Sequence, residues 1–264
     1  MEEKDSPRRL ICGRPKSLMQ AKSPLCSGCQ HGIVGRIISE VIDELGIMGN
    51  VVGIGGVGCH AMSMFVMNVD FVQALHGRAP AVGTGVKRGL NEDAVVFTIQ
   101  GDGDLAAIGI GDLINATVRG EKLTTVFFNN AGYGTTGGQL APTTLIGQVT
   151  TTTPNGRRPE AGGFPIHVAE LMAGLPGVVY SARCAVNTLA QFKRTKKAIK
   201  TAFQKQIDGI GYGFVEVLSA CPPLLNMRPT KAREWFEKHM LAEYPLGEFK
   251  NVNEREIKYQ IENN

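Results

Sequence analysis

The chain has 264 residues, 20% of them charged and 43% hydrophobic, with a formal net charge of +4. That length buries one large core, and the composition excludes a disordered polymer. The basic excess is small, and neither Arg157-Arg158 nor Arg194-Thr195-Lys196-Lys197 is interleaved with aromatic residues, so a solvated face explains them better than a nucleic-acid surface.

Residues 1–24 read as an extended N-terminal arm with prolines at 7, 15 and 24. They hold no apolar core of signal-peptide length. Helical periodicity begins near His31, with Ile33, Val34, Ile37, Ile38, Val41, Ile42 and Leu45 on one face and Gly46 as the stop. Residues 51–54 form a short strand entering the turn Gly55-Gly56-Val57-Gly58. A buried strand at 94–99 runs into Gly101-Asp102-Gly103-Asp104, and a helix starting near Asp104 follows, with Leu105, Ile108, Leu113 and Ile114 as its apolar positions. The next buried strand, 123–128, closes on Asn129-Asn130. Residues 131–165 are rich in Gly, Thr and Pro, and a stretch of that length inside a compact domain is usually functional.

The alternation then resumes, with helices at 167–173 and 189–206 and strands at 177–182 and 214–218. The last strand leads into Cys221-Pro222-Pro223. Apolar strands alternating with helices predict an α/β fold, a mostly parallel sheet with helices on both faces. Residues 25–230 make its single domain, and 231–264 a helical tail. No stretch approaches the ~18 apolar residues of a membrane span. Six cysteines in a chain without an export signal suit a reducing compartment, the cytoplasm.

Two strand ends carry the strongest chemical pattern. A strand, a helix and a strand bring Asp102 and Asn130 side by side at one sheet edge, where ligands of open α/β sheets collect. Mg²⁺ takes one or two protein oxygens plus phosphate oxygens. Asp102 supplies a carboxylate, Asn130 an amide oxygen, and the following turn a carbonyl, that of Gly132. Gly101 and Gly103 let a diphosphate approach the main chain, and the helix start near Asp104 directs amides at it. Either motif alone reads equally well as an ordinary turn; their pairing at successive strand ends favours the metal. Cys26-Ser27-Gly28-Cys29, Cys59 and Cys221 could ligate zinc or an iron–sulfur cluster, or include a redox pair. Cys12 and Cys184 read as small buried hydrophobes.

Gly-Asp-Gly followed one strand later by Asn-Asn resembles thiamine-diphosphate enzymes. Three further stretches extend the match: Tyr133-Gly134-Thr135-Thr136-Gly137-Gly138-Gln139, His76-Gly77-Arg78-Ala79-Pro80 and Gly83-Thr84-Gly85-Val86-Lys87. With them the chain resembles the thiamine-binding beta subunit of 2-oxoacid:ferredoxin oxidoreductases from about Cys26 to Cys221. The resemblance implies the thiamine-diphosphate-binding fold and Mg²⁺ held by Asp102, Asn130 and Gly132. It implies a cofactor site that also includes His31, Gly101, Gly103, Asp104, Tyr133 and Thr136, with His76, Arg78 and Thr135 as candidate catalytic side chains. Thr135 stands where family members often carry a larger residue. It assigns Cys26, Cys29, Cys59 and Cys221 to a 4Fe–4S cluster, and leaves His60 where a small polar residue is expected.

The activity so implied is oxidative decarboxylation of a 2-oxoacid to acyl-CoA and CO₂, with coenzyme A as acyl acceptor and ferredoxin as electron acceptor. The implied partners are an alpha subunit, which brings the pyrimidine-side glutamate, and gamma and delta subunits. The apolar segment 60–65 lacks the basic residue expected for 2-oxoglutarate, which favours a branched-chain acid such as 2-oxoisovalerate over 2-oxoglutarate or pyruvate. Three rivals remain in view. Gly53-Ile54-Gly55-Gly56-Val57-Gly58 matches a dinucleotide fingerprint, but Cys59 directly after it reads better as a cluster ligand. A non-redox thiamine decarboxylase leaves the cysteines unused, and a zinc-stapled scaffold leaves the Asp102–Asn130 pairing unused.

Overall fold

A computed structural model describes residues 13–254. Cys12, the rest of residues 1–12, and residues 255–264 of the expected tail lie outside that range. Helix α1 (His31–Leu45) buries Val34, Ile37, Ile38, Val41 and Ile42 along one stripe and stops at Gly46, whose φ of 67° is left-handed. Strand β1 (Val51–Gly55) is followed by a 3₁₀ turn (Cys59–Phe65), β2 (Asp70–Gln73), α2 (Ala79–Gly89) and β3 (Val95–Gly101). After a wide π-type turn (Asp102–Ala107) come α3 (Ile110–Val118) and β4 (Thr124–Asn129). A long connection holds α4 (Pro159–Gly162), and α5 (Val168–Ala173), β5 (Val178–Ala185), α6 (Leu189–Ile207) and β6 (Tyr212–Leu218) complete the alternation. The chain ends through α7 (Pro222–Leu225), α8 (Pro229–Trp235), α9 (Leu241–Glu243) and β7 (Gly247–Asn251).

The seven strands form one sheet in the order β2-β1-β3-β4-β6-β5-β7, parallel except for the β5–β7 pair. Strand alternation assigns each side chain to a face. Val95, Phe97 and Ile99 of β3, Val126 and Phe128 of β4, and Val215 and Val217 of β6 pack toward α1 and α6. Val96, Phe127 and Phe214 point the other way, into a core shared with α2, α3 and α5. Each such fully buried side chain contributes roughly 1.5–3 kcal/mol, which is why the central strands read as continuous apolar runs. Register brings the carboxyl ends level, with Gly55 opposite Ile99, Gly101 opposite Phe128, and Asn129 opposite Leu218. The strand order reverses beside β1, and loops leaving opposite ways there open the crevice that holds the site.

Several elements differ from the sequence reading. The helix expected to start near Asp104 begins at Asp102 as a wide π-helical segment, 102–107, closed by the Ile108 amide on the Gly103 carbonyl, and the α-helix proper, α3, begins only at Ile110. Single π-type turns of this sort concentrate at functional sites. Ile108, expected on the apolar face, is 51% exposed as a result. The segment expected to be a helical tail is helical through Glu243 and then returns to the sheet as β7. Strands β2 and β7 are edges with mostly exposed side chains, so neither carries an apolar run. The connection 131–165 is organised by Arg157, a buried side chain donating to the carbonyls of Pro142, Thr144, Gly162, Gly163 and Phe164. Among the described residues no helix is long and apolar enough to cross a membrane.

Candidate active site

A cavity of about 460 Å³ opens at the carboxyl ends of β1, β3 and β4. Of the residues singled out by sequence, its wall includes His31, Cys59, His76, Gly101, Asp102, Gly103, Asp104, Asn130, Gly132, Tyr133, Thr135 and Thr136. Arg78 is not part of it; its guanidinium turns to Asp112 at 3.0 Å. Cys26, Cys29 and Cys221 lie outside the wall. The segment after His60 also turns away, and Met64 packs against Gly55 instead. The apolar-pocket expectation therefore does not rest on residues 61–65. Among the described residues the wall presents Val57, Ala107 and Ile108 and carries no Lys or Arg.

Asp102 and Asn130 meet as their strand positions demand. The Asn130 amide donates to Asp102 Oδ2 at 3.2 Å, and the Asn130 side chain reaches the Gly132 carbonyl at 3.3 Å. Thr143, from the long connection, donates its hydroxyl to Asp102 Oδ1. Burial nevertheless pushes the Asp102 carboxyl up to about 7, with the Thr143 and Asn130 hydrogen bonds opposing and the charge of Glu216 adding. A buried carboxylate with two neutral donors and no cation, beside a free amide oxygen and a carbonyl, fits a divalent ion that takes its remaining ligands from a phosphate. Ala131, between the two oxygen donors, has a φ of 60°, unusual for a residue with a side chain. Its carbonyl is held by Thr144 Oγ1 and Gln148 Nε2 at 2.8 and 3.0 Å.

Asp104 does a different job from the one expected. Its carboxylate accepts from the Val57 and Gly77 amides at 3.0 and 2.8 Å, His76 Nδ1 at 3.0 Å and Gln100 Nε2 at 2.9 Å. It thus ties the loops after β1, β2 and β3 together, and little acceptor capacity remains for a ligand. Gly56 passes so close that a Cβ there would meet Asp104 Oδ2 at 1.8 Å. His76 is held with its other ring nitrogen free. His31 and His60 are buried beneath, both flanking Phe128. Burial drives the His31 pKa down to about 3 and lowers that of His60 against the opposing pull of Asp104. Both His31 nitrogens and His60 Nε2 lack a protein hydrogen-bond partner, the condition in which a buried polar group needs a bound molecule or water.

Behind this layer runs a buried chain that sequence reading missed. Asn129 donates to Glu216 at 2.7 Å, Arg183 pairs with Glu216 at 2.9 Å and with Glu170, and Arg183 lies over the Tyr244 ring, whose hydroxyl reaches the Thr143 carbonyl. Glu216 sits within the strand expected at 214–218 and Arg183 one residue past the one expected at 177–182, and a single charge there gives no periodic signal. Thr143 could have been suspected only as one threonine among many in residues 135–153.

The four cysteines named by sequence gather where the loops after β1 and β6 meet the segment before α1. Burial pushes the Cys29 thiol up to about 12 and Cys221 to about 11, and each of the other three thiols adds to the rise at Cys29. A Cβ on Gly134 would lie 3.4 Å from Cys59 Sγ and 3.9 Å from Cys221 Sγ. Among the described residues no three ligand-type side chains converge on one metal-ion position. Cys184 lies apart, buried in the core below α6 as expected.

The family described as thiamine pyrophosphate enzyme, C-terminal TPP binding domain, matches residues 56–217. The ketoisovalerate oxidoreductase subunit VorA of Methanothermobacter thermautotrophicus is 46% identical over 226 residues, 86% of this chain; the chain spans about half the length of that relative, 47%. The 2-oxoglutarate synthase subunit KorB of Methanocaldococcus jannaschii is 32% identical, covering 92% of this chain and 93% of its own. The solved 2-oxoglutarate:ferredoxin oxidoreductase from Magnetococcus marinus shares the fold, with a TM-score of 0.72 at 21% identity over 95% of this chain and 94% of that one. Strand ends, diphosphate-side loops and sequence likeness agree, and the chain belongs to the thiamine-diphosphate-binding subunits of the 2-oxoacid:ferredoxin oxidoreductase family.

Proposed function

We propose that this chain holds thiamine diphosphate through Mg²⁺ on Asp102, Asn130 and the Gly132 carbonyl, and a 4Fe–4S cluster on Cys26, Cys29, Cys59 and Cys221. In this reading it is the beta subunit of a cytoplasmic enzyme that converts a branched-chain 2-oxoacid, such as 2-oxoisovalerate, and coenzyme A to acyl-CoA and CO₂ with reduction of ferredoxin. Its domain is residues 25–230. The observation that carries the reading is the buried Asp102 carboxylate, aligned with Asn130 and the Gly132 carbonyl and lacking any cationic partner.

The bound cofactor supplies the carbanion chemistry. This chain's residues position and desolvate. Tyr133 lies over Gly103, where a Cβ would meet the ring at 2.9 Å, and closes the wall beside Asp102. Asp104 fixes the His76 ring through Nδ1, which leaves Nε2 available to a phosphate or substrate oxygen. Neutral His31 and His60 can donate to an oxygen at the cavity's inner end without adding charge. Among the described residues no glutamate lines the wall, which supports an alpha subunit as the source of the pyrimidine-side carboxylate, with gamma and delta subunits completing the assembly. The absence of Lys and Arg from the wall supports an acid without a distal carboxylate. The two named relatives differ on this point, one a ketoisovalerate and the other a 2-oxoglutarate enzyme subunit.

The test is analysis of the chain purified with its co-expressed partners. Thiamine, magnesium, iron and acid-labile sulfide should all be present, and kcat/KM should be higher for 2-oxoisovalerate than for 2-oxoglutarate or pyruvate. Zinc without sulfide would reject the cluster, and a clear preference for 2-oxoglutarate would reject the substrate class.

A further inference from the structure

The hairpin Tyr133–Gln139 touches two places at once. At its base, the Tyr133 amide donates to the Gln139 carbonyl at 3.2 Å and the Gly138 amide to the Tyr133 carbonyl at 2.8 Å, while the Tyr133 ring covers Gly103 in the cavity wall. Next along the hairpin, Gly134 passes over Cys59 and Cys221, where a Cβ would stand 3.4 and 3.9 Å from their sulfurs. Thr135 follows, and its hydroxyl lies 3.1 Å from Cys59 Sγ. The neighbouring hydroxyl is already committed, since Thr136 Oγ1 donates to Gln139 Oε1 at 2.6 Å. The two adjacent threonines therefore do different things: one braces the hairpin, and the other faces a thiol at the cavity edge.

We propose that Thr135 is a tuning residue for the cluster: its hydroxyl donates to the Cys59 thiolate and raises the cluster's reduction potential. The inference rests on the cluster reading above and goes beyond it. A metal-bound Cys59 is a thiolate, which can only accept, so the direction of the bond is set. Reduction adds one electron to the cluster and its four thiolates and therefore one negative charge. A fixed donor stabilises the reduced form more than the oxidised one, and the potential rises. The hydroxyl keeps its proton in both states, so the couple remains a pure one-electron step. Thr135 and Cys59 both line the cofactor cavity, so the bonded cysteine is the ligand facing the electron source. Of the ligands, it is the one whose energy matters most for accepting electrons from that side.

The test uses the assembled complex with Thr135→Val and Thr135→Ser. Valine keeps the shape and removes the donor; serine keeps the donor. Iron and sulfide content is measured first, then the midpoint potential by redox titration monitored by electron paramagnetic resonance. The Fe–S(Cys) stretching bands are recorded by resonance Raman spectroscopy. Thr135→Val should retain iron and sulfide, shift the potential downward and move an Fe–S(Cys) band to higher frequency, while Thr135→Ser stays at the parent values. An unchanged potential and unchanged bands in a fully loaded Thr135→Val complex would overturn the tuning role while leaving the cluster intact. A parent complex without iron or sulfide would overturn both. If valine disturbs loading, Thr135→Ala, which cannot crowd Cys59, is read on the same two scales with the same criteria.

Discussion

The Asp102 side and the cysteine side of this site are finished to different degrees. Around Asp102, the chain supplies Thr143, the Asn130 amide, the strained Ala131 with its two carbonyl donors, and the Glu216–Arg183 pair behind. Around the thiols it supplies less: Cys26 is exposed, Cys59 has a hydroxyl partner in Thr135, and Cys29 and Cys221 have the backbone amides of His31 and Leu224. A hard cation with few protein ligands is held in place only if the oxygens are fixed beforehand. A cluster brings its own rigid frame and needs four sulfurs that can move onto it. Under the proposed function, the difference teaches that the first half is built by folding and that the second would be completed by its cluster.

The sharpest way to break the comparison is Asp102→Ala. It should abolish thiamine retention, a loss of at least about 100-fold in cofactor affinity, while the iron–sulfur absorption stays near that of the parent. Joint disappearance of both cofactors would mean that the two halves are one unit. Next in size is Arg157→Ala, which removes the common donor of the long connection. We expect a loss of about 3 kcal/mol in chemical denaturation, together with weaker thiamine binding because Thr143 belongs to the same connection. A change within error would mean that the connection holds its shape without Arg157.

The preorganised side also has a cost that pH can expose. In the metal-free chain the Asp102 carboxyl is raised from its ordinary 3.8 to about 7, so the folded state binds the proton more tightly than the unfolded one. Its contribution to stability is full below pH 3.8 and is lost as pH rises through 7. Asp102→Asn should therefore stabilise the metal-free chain by roughly 1–3 kcal/mol at pH 8 and by almost nothing at pH 4. Equal effects at both pH values would contradict the origin assigned to the strain. The smallest effect belongs to Arg78→Ala. Its ion pair with Asp112 is exposed, and its loss should change stability by less than about 1 kcal/mol. A large fall in kcat without loss of stability would return Arg78 to the catalytic set.

The legible parts of this protein are those that repeat. The apolar runs of β1, β3, β4, β5 and β6 and the stripe of α1 announce themselves because a strand buried on both faces, or a helix buried on one, must carry the same residue class several times. Asp102, Asn130 and the cysteines were legible for a second reason: ligand chemistry restricts them to a few residue types beside glycines at strand ends. The edges β2 and β7 were not, because a strand paired on one side with exposed side chains needs no apolar run.

Sequence alone therefore determined the sheet's central strands, the family, and which oxygens and sulfurs are available. Tertiary structure decided how they are used. Asp104 and Asp102 are two residues apart and chemically identical, yet one is saturated by three loops and the other has Thr143 and the Asn130 amide as its side-chain and neighbouring-strand donors. Arg78 turns away to Asp112, and residues 61–65 leave the cavity wall. Thr143 matters through Asp102, 41 residues away, and Arg157 through the carbonyls of its own connection. The reason is physical: burial and hydrogen-bond partners set a polar side chain's role, and both depend on neighbours that only the folded chain brings together.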